Sequence, residues 1–122
     1  MPRALIVDDE EDIRFLIRLT IELANEGLAV SAEAASGEAA IESWHAERPE
    51  VIVLDNRMPG MSGLEVAERI LSEDPQQSII LYSAYLDEET VAEATRIGIR
   101  QCLAKGDYSR LPEELWRHAA RA

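Results

Sequence analysis

The sequence predicts an α/β domain, a parallel sheet of five strands with helices on both faces. Three observations predict it. Short apolar runs alternate five times with segments whose apolar residues recur at three- and four-residue spacing. The run 51–54 is apolar at all four positions, as strands covered on both faces are. The chain has 122 residues, 47% of them hydrophobic and spread along its whole length, which suits one domain with a single core.

The elements follow in order. Leu5–Val7 reads as the first strand. Ile13, Leu16, Ile17, Thr20, Ile21 and Ala24 then form a helical stripe, and Gly27 closes that helix. Leu28–Ala34 is the second strand. Ser36 and Gly37 open a helix with Ala40, Ile41 and Trp44 inward, stopped by Pro49. Val51–Leu54 is the third strand, β-branched at its first three positions. Ser62 and Glu65 have capping-box spacing and start a helix to about Ser72, with Leu64, Ala67 and Leu71 inward. Ile79–Tyr82 is the fourth strand. Asp87 caps a helix with Val91, Ala94 and Ile97 inside, ended by Gly98. Ile99–Ala104 is the fifth strand, and Leu111–Arg121 the last helix, with Pro112 in its first turn. Such units fit a flavodoxin-like, doubly wound (βα)5 three-layer sandwich with strand order 2-1-3-4-5.

Charge and cysteine content narrow the function. The formal net charge is −12, from 24 acids against 12 lysines and arginines. That argues against direct binding to nucleic acid or to an anionic membrane, both of which rely on basic patches. No apolar run approaches the roughly 20 residues that span a membrane, and the N-terminus lacks the marks of a secretory signal. Cys102 is the only cysteine, which excludes an internal disulfide and a multi-cysteine metal site. A cytoplasmic location is expected.

In the expected topology the carboxyl ends of the strands open into one crevice, where ligands of such sheets sit. The first strand ends at Asp8 and Asp9, the third at Asp55, the fourth at Ser83 and the fifth at Lys105. Clustered carboxylates repel one another unless a cation joins them, and hard oxygen ligands suit Mg2+. A carboxylate oxygen can also attack a phosphoryl group and form an acyl phosphate. Asp55 could then be the nucleophile, with Lys105 neutralising charge and Ser83 donating a hydrogen bond. Glu10, Glu11 and Asp12 read instead as acids at a helix start, favoured by the dipole.

These residues carry a resemblance. The matching pieces are the acids in LIVDDEEDIR, the segment VIVLDNRMPGMSGLEV with its D-x-x-M-P-x-x-x-G pattern (Asp55, Met58, Pro59, Gly63), the Ser83-Ala84 pair and Lys105 in QCLAKG. In this the chain resembles a response regulator receiver domain over essentially its full length, taken as residues 1–122 with no output domain in it. The resemblance implies that Asp55 is the phosphoacceptor of two-component or phosphorelay signalling. It implies that Asp8, Asp9, Asp55 and the backbone carbonyl of Arg57 bind Mg2+, with Mn2+ as a substitute, and that Ser83 and Lys105 contact the phosphoryl group. The donor would be a histidine kinase or histidine phosphotransfer protein, and the output a change in binding to a downstream protein. Such a domain catalyses only its own phosphorylation and dephosphorylation. Arg57 and Tyr85 stand where the family tunes dephosphorylation. Ile13, Phe15 and Leu19 of the first helix are docking candidates for the donor or for a phosphorylation-dependent homodimer, a monomer being the other expected state.

The sequence departs from the family pattern twice. Gly106 follows the lysine where proline is common, so a trans peptide is expected there. Cys102 holds the position, three before the lysine, where an aromatic ring usually switches; Tyr85 is a substitute ring. Cys102 itself reads as a small buried hydrophobe, Trp44 and Trp116 as packing residues, and His45 and His118 as structural or exposed. Two rival readings are an interaction module not controlled by phosphorylation and an aspartate-nucleophile phosphatase. The latter would place a second acid two residues after the nucleophile, where Arg57 stands.

Overall fold

The computed structural model describes residues 1–24, 27–106 and 108–119. Strands β1 (Arg3–Val7), β2 (Ala29–Ala34), β3 (Val51–Leu54), β4 (Ser78–Ser83) and β5 (Gln101–Ala104) alternate with helices α1 (Glu11–Ala24), α2 (Gly37–Glu47), α3 (Gly63–Glu73), α4 (Glu88–Ile97) and α5 (Leu111–Ala119). All strand pairs are parallel and the sheet order is β2-β1-β3-β4-β5, as the alternation predicts. Val7 lies beside Leu54, and Ser83 beside Ala104. Asp8 and Asp55 therefore leave neighbouring strands at the same level, and Lys105 follows one residue beyond the partner of Ser83.

Period-two alternation divides the apolar strand residues between two layers. Leu5, Val7, Ile52, Leu54, Ile79 and Leu81 pack against Trp44 of α2 and Val66 and Ile70 of α3. Ala4, Ile6, Val51, Val53, Ile80 and Tyr82 pack against Ile17 and Ile21 of α1 and Leu111 and Leu115 of α5. Burying a large aliphatic side chain contributes about 1.5–3 kcal/mol, so these layers fix the register that assembles the strand ends. Trp44 is fully buried and donates its indole N–H to Gln77 Oε1 at 2.9 Å.

The helix starts form as their sequences dictate. Ser36 accepts from Ala39 N, Asp87 from Thr90 N, and Ser62 and Glu65 make both hydrogen bonds of a capping box. Gly98 ends α4 with φ 110°, a conformation that costs glycine little.

Several packing expectations are corrected. Leu16 is 40% exposed rather than inward, because α1 buries a narrow stripe centred on Ile17 and Ile21. Val91 is also exposed, since α4 meets the sheet layer through Ala94 and, as expected, Ile97. Leu64 is only half-buried; the inner face of α3 is Val66, Ala67, Ile70 and Leu71. Trp116 is 43% exposed, with its indole nitrogen 3.6 Å from where a Cβ at Gly27 would lie rather than in the core. The fifth strand starts at Gln101, not Ile99, and β1 starts earlier, at Arg3. The expected end of the last helix at Arg121 lies outside the described residues. Among the described residues no helix is long and apolar enough to cross a membrane.

Candidate functional site

Backbone hydrogen bonds bring the strand-end residues together. Asp8 N donates to Ala34 O at 3.1 Å and Asp55 N to Val7 O at 2.9 Å, extending the ladders one residue past β1 and β3. Asp8 Oδ1 accepts Glu10 N at 2.9 Å, a local turn that steers the chain into α1. Arg14 Nη1 donates to Asp8 O at 2.9 Å and secures that turn from the helix. The other carboxylate oxygen, Asp8 Oδ2, is left facing the crevice.

On the far side, Lys105 N donates to Ser83 O at 2.9 Å, so β5 also continues one residue. Lys105 Nζ reaches 2.7 Å from Asp8 Oδ2 and 3.1 Å from Asp55 Oδ1. Asp8 and Asp55 are buried, at 1% and 5% exposure, whereas Asp9 is exposed. Burial, then the neighbouring Asp8, raises the Asp55 pKa above the usual carboxylate range, with Asp9 adding to it and Lys105 opposing it. Burial alone would lower the Lys105 pKa, but its hydrogen bonds to Asp8 and Asp55 and the attraction of both carboxylates together raise it.

Asp8, Asp9 and Asp55 each offer a carboxylate oxygen within 4.8 Å of the others. This donor set fits a hard divalent cation: it is all oxygen, partly buried and open on the Asp9 side. Asp8 Oδ2 is buried with the Lys105 ammonium 2.7 Å away, so positive charge already meets this oxygen from the Lys105 side.

A pocket of about 200 Å3 over this cluster is lined by Asp9, Glu10, Asp55, Arg57, Ser83, Ala84, Tyr85 and Lys105. The Arg57 guanidinium lies over the Tyr85 ring, 3.9 Å from its centroid, so these two form one wall. Ser83 is buried, and its hydroxyl accepts from Tyr85 N at 3.2 Å and donates to Tyr85 O at 3.3 Å. It borders the pocket but is engaged with its own turn.

Behind the pocket, Gly63 N donates to Asn56 O at 2.8 Å and Leu64 N to Asn56 Oδ1 at 3.0 Å. A side chain at position 63 would place its Cβ 2.2 Å from Asp55 O, so only glycine lets α3 approach so closely.

Other candidate residues lie elsewhere. Ile13 is half-buried on α1, while Phe15 and Leu19 are exposed on it, and none of the three lines the pocket. Cys102 is half-buried rather than buried, packed on the α2–α3 layer, and burial pushes its thiol pKa up, away from a reactive thiolate. His45 meets Glu73 at 3.0 Å, and His118 is buried with Nε2 2.8 Å from Gln101 Oε1. No peptide bond among the described residues is cis, and Gly106 has φ 106°. A larger depression, about 510 Å3, sits at the opposite, amino-terminal ends of β3, β4 and β5. Several of its polar groups are already engaged: Arg48 lies over Trp44, Arg100 donates to Gln76 O, and Glu50 pairs with Arg3.

Sequence reasoning missed Asn56 and Tyr82. The Tyr82 hydroxyl accepts Gly106 N at 3.3 Å, a role hidden because Tyr82 sits in an apolar strand run. Asn56, a turn-forming residue directly after Asp55, carried a local signal.

Comparison with known proteins gives consistent matches. The model of the family described as response regulator receiver domain matches residues 4–115. The chain is 33% identical over 103 residues to the chemotaxis protein CheY of Thermotoga maritima, covering 84% of each chain. It is 32% identical over 103 residues to sporulation initiation phosphotransferase F of Bacillus subtilis, covering 84% of this chain and 81% of that one. A crystal structure of a LuxR-family two-component response regulator from Aurantimonas sp. SI85-9A1 superposes with a TM-score of 0.90 at 27% identity, covering 98% of this chain and 85% of that one.

Proposed function

The chain belongs to the response regulator receiver family, and from that premise we propose that it is a phosphorylation switch whose acceptor is Asp55. The observation that carries this is the Lys105 ammonium, 3.1 Å from Asp55 Oδ1 at the head of a three-carboxylate cluster. An ammonium at that place can neutralise a phosphoryl oxygen as well as a carboxylate.

In the proposed step an Asp55 carboxylate oxygen attacks the phosphorus of a phosphohistidine. The new O–P bond forms as the N–P bond breaks, and the electron pair leaves on the imidazole nitrogen, which takes up a proton. Asp8, Asp9, Asp55 and the carbonyl of Arg57 would hold Mg2+, which supplies positive charge toward the phosphoryl oxygens. Lys105 shifts from the carboxylates to a phosphoryl oxygen. Ser83 must give up its hydrogen bond to Tyr85 O to reach another, which makes the β4–α4 turn the segment that feels phosphorylation. Arg57 and Tyr85, stacked at the rim, control the approach of the water that later hydrolyses the acyl phosphate. The phosphohistidine would stand on a histidine kinase or phosphotransfer protein in the cytoplasm. Residues 1–122 act as one unit that modifies only itself.

The test is incubation with Mg2+ and acetyl phosphate, followed by intact-protein mass spectrometry. The wild type gains one phosphoryl group, Asp55→Ala gains none, and Asp9→Ala requires at least about tenfold more Mg2+, the usual scale for loss of a metal contact. An unmodified wild type, or labelling that persists in Asp55→Ala, overturns the reading. Steady turnover of a phosphomonoester would assign a hydrolase instead.

A further inference from the structure

We propose that Tyr82 is a positioning residue for Lys105, acting through the Gly106 amide; the proposal deepens the phosphoacceptor reading and rests on it for its kinetic test. Tyr82 is 1% exposed, at the end of β4, directly before Ser83. A buried phenol needs a polar partner. This one receives the Gly106 N–H at 3.3 Å, while the preceding amide, Lys105 N, donates to Ser83 O at 2.9 Å. Two consecutive amides of the loop after β5 are thus pinned to two consecutive residues of β4. The Tyr82 ring also meets Tyr108 edge-on, with centroids 5.9 Å apart and planes at 72°, on the far side of the same loop.

The pinned peptide is the one from which the Lys105 side chain departs. A lysine has four rotatable side-chain bonds, so its ammonium reaches both Asp8 and Asp55 reproducibly only if its backbone is fixed. Gly106 is the residue that permits this, because its φ of 106° is open to glycine and closed to proline, which also lacks the N–H. Tyr82 lies on the α1–α5 side of the sheet and Cys102 on the other. The tether therefore works from the face opposite Cys102.

The test uses Tyr82→Phe, which removes the hydroxyl and keeps the buried ring. In the unphosphorylated protein, amide exchange at Gly106, followed by NMR, accelerates about fivefold or more, while amides of β3 keep their wild-type rates. With acetyl phosphate and Mg2+, phosphorylation of Tyr82→Phe slows about fivefold, the kinetic equivalent of one hydrogen bond. Adding the same change to Lys105→Ala produces no further slowing, because the tether acts only through that lysine. Unchanged Gly106 exchange, or slowing that multiplies in the double variant, overturns the proposal. If Tyr82→Phe does not fold, Tyr82→Met, which also lacks the hydroxyl but keeps an apolar side chain in the core, decides: wild-type transfer in it overturns the tether, and slowed transfer that does not multiply with Lys105→Ala supports it. A wild type that takes no phosphate defeats the phosphoacceptor reading, and the exchange measurement still tests the tether.

Discussion

Asp55 carries the strongest electrostatic conflict at the site. Its folded-state pKa is raised, first by burial and then by Asp8, so the native protein holds the Asp55 proton more tightly than the unfolded chain does. The stability Asp55 contributes is therefore present below the ordinary carboxylate range and is lost as pH rises through its raised pKa. Without a divalent cation, Asp55→Asn should melt higher than the wild type at pH 7, by about 2 °C or more, and the gap should close as pH falls toward that range. Millimolar Mg2+ should stabilise the wild type more than the variant, since a ligand stabilises the state that binds it. Thermal melts with and without Mg2+ check this; a metal-free wild type that melts higher at pH 7 would refute the conflict. The acids themselves were legible in the sequence at strand ends. What Asp8 does with each oxygen was not, because that depends on a turn to Glu10 and a contact with Lys105, 97 residues away in the numbering.

At the scale of elements, the approach of α3 to the end of β3 sets the backbone of Asp55. Gly63→Ala forces a Cβ to 2.2 Å from Asp55 O, so either α3 retreats or Asp55 moves. The variant should lose about 2 kcal/mol or more in urea unfolding, as overpacked sites do, and its phosphorylation by acetyl phosphate should fall at least tenfold. A variant with wild-type stability and rate would mean the contact is relieved at no cost. By contrast, Ser62→Ala removes only a cap, on an exposed helix start. The capping box was readable from two residues three apart, whereas the reason for Gly63 was not, since its neighbour is a backbone oxygen of another element.

The whole molecule presents α1 with two apolar faces. Ile17 and Ile21 are buried, while Phe15, Leu16, Leu19 and Leu23 remain exposed, Leu23 to 75%. Exposed apolar clusters of this kind mark interaction surfaces. Replacing Phe15 and Leu23 with serine should change the melting temperature by less than about 2 °C, because neither is in the core. Transfer from a histidine kinase should fall about tenfold or more, with labelling by acetyl phosphate unchanged, since a small donor needs no docking surface. Equal loss with both donors would place the defect in the site instead. The sequence by itself determined the alternation of five strands and five helices, and which acids, hydroxyl and amine stand at strand ends, because periodicity and capping are local. Only the tertiary structure decided which face of α1 is buried, that Cys102 and Tyr82 lie on opposite sides of the sheet, and that Lys105 spans Asp8 and Asp55. Those outcomes depend on strand register and on contacts between residues far apart in the chain, which no local pattern encodes.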